Sequence, residues 1–228
     1  MATLYEDTIE NVLQIISDYR GESTTDTSAR RIRSVSRQEQ ALAKRKLFKL
    51  FVLPNQTASG DGTNDYTIGS ATYPMRLNGL SEVFVGGTTA DKQYQIVDYH
   101  KYKELYNQNN SDKLVYLWYD VVNKLWKMHI NPSPTASDTI TYTYYWIPPK
   151  KTTTAEYVYC VDMEALARYA NAEIYDGDDE PEIAQQERQI GEQILDDAIG
   201  EDNRPNVNQL YKFEAIENMN QSRGIGSY

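Results

Sequence analysis

Apolar residues recur every three to four positions at both ends of the chain and every second position through much of its middle, which predicts helices flanking strands. Near the start, Ile9, Val12, Leu13 and Ile16 stand at helical spacing, and Gly21 is placed to stop that helix. Thr3 and Glu6 read as its capping box, hydroxyl and carboxylate each satisfying a free amide. After a polar turn from Glu22 to Thr27, Ile32, Val35, Leu42 and Leu47 form a weaker stripe. They predict a second helix, with Ser36 and Glu39 offering a further capping box at which it can break.

From Phe48 the period changes to two. Phe48, Leu50 and Val52 alternate as in a strand that Pro54 ends, and the Gly, Ser, Thr, Asp and Asn residues from Asn55 to Asn64 predict a loop. Further strands are expected at Tyr66 to Ile68, Leu80 to Val85, Tyr94 to Val97, Leu114 to Asp120, Leu125 to Ile130 and Thr139 to Ile147. Val121 to Lys124 reads as a hairpin turn, Asp98 to Tyr106 as a short helical turn, and Asn131 to Pro134 and Pro148-Pro149 as strand stops.

Helical spacing returns with Met163, Leu166, Ala170 and Ile174 behind a cap at Asp162, and Asp176 to Asp179 break the run. Pro181 starts another helix carrying Ile183, Ile190, Ile194 and Ile199, with Gly200 as its cap. The pattern predicts an α+β protein. N- and C-terminal helices form a helical bundle with an inserted antiparallel β-rich, sandwich-like domain and an extended C-terminal arm. The expected divisions are residues 1–50, 51–150, 151–202 packing with the N-terminal helices, and 203–228. The last of these carries Val207, Leu210, Tyr211, Phe213, Ile216, Met219, Ile225 and Tyr228 in a polar background. It is too apolar for a solvating tail and too short to bury itself, so it is expected to dock on another surface.

Charge sharpens this picture. The net charge is −10, but residues 30–49 hold eight bases against Glu39, a net of +7, while residues 156–202 hold fifteen acids against Arg168 and Arg188, a net of −13. Taken alone, each block reads as a solvated helix face. Together they can attract one another within a subunit or join one subunit to the next. The candidate contact residues are Arg30, Arg31, Arg33, Arg37, Lys44 and Arg45 against Glu187, Glu192 and Asp196. The basic block suits an acidic protein surface better than nucleic acid, because a chain of net −10 is repelled by phosphates overall and aromatic residues do not interleave with the bases as a single-strand platform needs. Nineteen tyrosines beside four phenylalanines and three tryptophans suit half-buried sheet faces and subunit contacts equally well.

Candidate chemistry is sparse. Gly79 to Val83 begins like a nucleophile elbow but has Val83 where the turn needs a small residue, and Asp176 to Glu180 begins like a calcium loop but has Pro181 where glycine is needed. His100 and His129 lie in different elements, and Cys160 is the lone cysteine. No cofactor, metal or catalytic residue is expected, and the chain is read as a non-enzyme. It has no apolar run long enough to span a bilayer, and Met1 to Glu10 carry acids where a signal peptide carries bases, which predicts a protein made in the cytoplasm with no membrane partner.

The order of these pieces resembles the head-to-tail adaptor family of tailed phages, also called connector or head-completion proteins. The resemblance lies in Arg33 to Leu50, Tyr66 to Val85, Trp126 to Pro134, the aromatic strand ending at Trp146-Ile147-Pro148, and the helix pair Ala165 to Tyr175 and Ala184 to Ile199. It implies a homo-oligomeric ring, commonly twelvefold, that binds the portal protein above and a tail or nozzle protein below. Double-stranded DNA passes through the lumen without sequence-specific binding. It also implies a place in the virion at the head-tail interface, after assembly in the host cytoplasm. A tail completion or nozzle protein, and a β module binding a glycan through its tyrosines, are the alternative readings.

Overall fold

The computed structural model describes residues 3–203. Strand β1 (Tyr5–Thr8) runs straight into helix α1 (Ile9–Tyr19), and β1 pairs antiparallel with β9 (Tyr157–Cys160). The expected capping box at Thr3 and Glu6 is therefore displaced. Thr3 precedes the strand and Glu6 lies within it, and Thr8 is the cap, its Oγ1 accepting from Asn11 N at 3.3 Å. The next free amides, Ile9 N and Glu10 N, donate to the carbonyls of Glu156 and Thr154. The apolar stripe is as expected, with Ile9, Val12, Leu13 and Ile16 fully buried. Gly21 follows the helix at φ +64°, a conformation that costs a residue with a Cβ.

Helix α2 (Ala29–Arg45) is unbroken. Ser36 and Glu39 are not a cap but buried polar anchors: Ser36 Oγ accepts from Lys151 N, and Glu39 Oε1 from Tyr159 N. The strand expected from Phe48 starts later, as β2 (Val52–Ser59), after a turn. It runs through Pro54, and residues 55–59, expected as loop, are strand. Proline is tolerated because β2 is an edge strand, and the register shifts between Leu53 and Gln56 with Asn55 at φ 53°.

The other strands are β3 (Asp65–Ile68), β4 (Met75–Val85), β5 (Gln95–Ile96), β6 (Leu114–Asp120), β7 (Leu125–Asn131) and β8 (Thr139–Trp146), with helix α3 (Tyr99–Gln108) between β5 and β6. They form a three-stranded sheet, β2-β8-β4, and a four-stranded sheet, β3-β7-β6-β5. Pairing is antiparallel except for β5 with β6, a short parallel pair where antiparallel strands were expected. In the central strand β8, the alternate residues Ile140, Tyr142, Tyr144 and Trp146 are all buried, the period-two pattern of a strand with one face in the core.

Helix α4 (Met163–Gly177) begins at Asp162, whose carboxylate accepts from Ala165 N, and α5 (Pro181–Asn203) follows. Helices α1, α2 and α5 all pack on α4. Ala165, Ala167, Ala170 and Ala172 are fully buried, so helix backbones approach closely, and a Cβ at Gly191 of α5 would meet Arg168 Cβ at 3.1 Å. Gly200 does not end α5, which continues to Asn203. Of its expected stripe, Ile183 and Ile190 are exposed, while Ala184 and Leu195 face inward. One continuous buried cluster runs from α1 through the strands to α5.

Candidate assembly interface

The two charge blocks meet on the helices of a single subunit. Arg30 donates to Asp178 Oδ1 and to Ile174 O, both at 2.8 Å, closing the C-terminal end of α4. Arg20 adds a second pair to Asp178 at 3.1 Å, and these arginines hold the Asp178 carboxyl below its ordinary range. Arg37 pairs with Glu173 at 2.8 Å, and Lys46 with Glu192 and Asp196 of α5. Arg168 bridges to Glu187 at 3.1 Å, and Tyr169 donates its hydroxyl to Glu192.

Arg31 is buried and grips Glu22 with both guanidinium nitrogens, with Asp26 at 3.1 Å. This fastens the turn between α1 and α2. The bond to Arg31 pulls the Glu22 pKa down to about 2, against the opposing effect of burial.

Of the nine residues expected at a subunit contact, Arg30, Arg31, Arg37, Glu187, Glu192 and Asp196 thus have partners within the chain. Arg33, Lys44 and Arg45 are exposed on α2 and have no ion-pair partner among the described residues. The eight residues expected to dock an arm, Val207 to Tyr228, lie outside the described residues.

Sequence reading missed Glu39 as a buried charge. It is fully buried, its Oε2 has no hydrogen-bond partner, and burial raises its pKa to about 8 despite the nearby Lys151. The only sequence signal was one acid on the apolar side of an otherwise basic helix. The tyrosines divide between roles. Tyr66, Tyr94, Tyr102, Tyr142 and Tyr144 are buried, while Tyr5, Tyr99, Tyr106, Tyr119 and Tyr157 are exposed. Tyr116 stacks on His129 at 4.9 Å, and His129 Nδ1 sits 2.8 Å from Asp65 Oδ1. Among the described residues no three His, Cys, Asp or Glu side chains gather as a metal site would need, and no helix is long and apolar enough to cross a membrane.

A family model described as SU10 adaptor protein matches residues 5–210. The chain belongs to that family. It is a structural phage protein of the head-to-tail adaptor kind, as the order of its elements led us to expect. No curated protein sequence matches the chain. On α2, Arg30, Arg31 and Arg37 pair within the subunit while Arg33, Lys44 and Arg45 are exposed.

Proposed function

We propose that this adaptor assembles as a ring, twelvefold by resemblance, that joins the capsid portal to the tail or nozzle and helps retain packaged DNA. In this reading the terminal helices form a bundle around the channel, and a sandwich-like strand domain, residues 51–150, is inserted into it. The observation that carries the reading is the family match over residues 5–210, supported by bases left unpaired on α2. A ring needs a contact in which one surface of a subunit meets a different surface of the next. Arg33, Lys44 and Arg45 offer the basic side of such a contact, and the exposed acids Glu182 and Asp197 of α5 offer the acidic side. Glu192 and Asp196 join it through the parts of their side chains that stay exposed, while Glu187 is largely covered by its bridge to Arg168. Acids turned to the lumen repel DNA phosphates, so the duplex slides without sticking.

The arm, residues 203–228, docks on the portal through its apolar residues. The complex forms in the host cytoplasm and ends at the head-tail interface of the virion. The test is the mass of the full chain alone and after mixing with portal rings, by native mass spectrometry. A complex of fixed stoichiometry is expected. A chain that stays monomeric with portal present would overturn the reading.

A further inference from the structure

The most exposed large apolar residues among those described are Val121 and Val122, at 76% and 88%. They sit at the turn of the β6–β7 hairpin, where neither contributes turn chemistry, which ordinarily falls to Gly, Pro, Asn, Asp or Ser. The turn is nonetheless tightly built. Asp120 Oδ1 accepts from Val122 N and Asn123 N at 3.1 Å, and its Oδ2 accepts from Asn123 Nδ2 at 2.8 Å and pairs with Lys127 at 3.1 Å. Two branched apolar side chains are therefore held out into water on a stiff support, which lowers the ordering cost of placing them against a partner.

The same strand region carries an open cavity of about 370 Å³. Its lining includes Leu80, Ile96, Val97, Tyr99 and Leu117, with Asp98 among them. Asp98 is exposed, and beside the two valines stands exposed Lys124, which has no ion-pair partner among the described residues. Knob and hollow thus match in apolar character and are opposite in charge. A copy cannot fill its own hollow this way. Leu117 lies in β6 three residues before that strand ends at Asp120, which is paired with β7 throughout and keeps Leu117 roughly 10 Å from the start of the turn that bears the valines.

We propose that the β6–β7 hairpin tip of one subunit seats in the Leu80–Ile96–Leu117 hollow of a second copy, with Lys124 facing Asp98. Two different surfaces of the same chain then meet, the kind of contact that closes into a ring when the rotation allows. This rests on the ring reading above and assigns it a contact outside the helices.

The full chain carrying Val122→Cys and Ile96→Cys is mixed with portal rings and treated with a short bis-maleimide. The natural Cys160 is fully buried and does not compete. A ladder of covalently linked subunits is expected from the double variant and none from either single variant. In parallel, Val121→Asp/Val122→Asp should keep wild-type circular dichroism yet drop from ring mass to monomer mass. The milder Val121→Ser/Val122→Ser serves if the aspartates disturb folding. A variant ring of wild-type mass with no ladder overturns this seat and leaves the ring reading standing. A wild-type chain that never assembles, with or without portal, overturns both.

Discussion

Across the helices, Arg30, Arg37, Lys46 and Arg168 each meet a carboxylate of another segment, whereas the strands are knit chiefly by rings. Trp146 is the hub of the strand packing, with Phe51, Tyr73 and Tyr159 at 5.1, 5.0 and 5.4 Å in edge-to-face contact. Tyr102 packs similarly on Tyr116 and His129. Charge pairs weaken with salt and with pH, while ring contacts and apolar burial do not titrate. The helical part, which holds most of the charge pairs between elements, is therefore the more condition-sensitive part of the subunit.

The largest test of that contrast is pH. Glu39 has a folded pKa raised to about 8, above its unfolded value, so its protonated form favours the fold. Its contribution is full below the unfolded pKa and is lost as pH rises toward 8, by on the order of 1 kcal/mol per pH unit at the steepest. Glu39→Gln should flatten that slope in urea melts between pH 5 and 8; an unchanged slope would mean that the carboxyl is not buried. Glu22 works in the opposite sense, because its lowered pKa adds stability that is lost only as pH falls toward 2.

Next in size is Ile140→Ala in β8, the central strand of its sheet, expected to cost about 3 kcal/mol by lost burial and a cavity, with no dependence on salt. Arg31→Ala should cost about 2 kcal/mol, between the ranges for buried and surface pairs, since Arg31 is buried but Glu22 is only partly so. The smallest effect belongs to Arg37→Ala. Its side chain is 68% exposed, so the loss should stay below about 1 kcal/mol and vanish in 1 M salt. A salt-insensitive Arg37 or a salt-sensitive Ile140 would break the comparison.

What could be read from the sequence was what is local. The α1 stripe, the cap at Asp162 and the alternation along Thr139 to Trp146 follow from neighbouring residues, and they stand where periodicity put them. What escaped depends on partners far along the chain. Tyr5 to Thr8 resemble the entry to a helix until Tyr157 to Cys160 are brought alongside, and Pro54 reads as a stop unless β2 is known to be an edge. Ser36 and Glu39 have the spacing of a cap, and only the packing of residues 151–159 against α2 shows their use. The same distance effect governs the charge blocks. Composition showed that they attract, but not that Arg30 and Arg37 reach Asp178 and Glu173 of their own chain.

The edge of the three-stranded sheet has a consequence for manufacture. A long, straight strand border would let freshly made copies stack on one another before any docking site was available. Pro54 removes one donor from that border and the kink at Asn55 bends it, while the opposite border is partly occupied by Phe84 pairing with Gln93. Both borders of the sheet are thus poor templates for pairing with another copy.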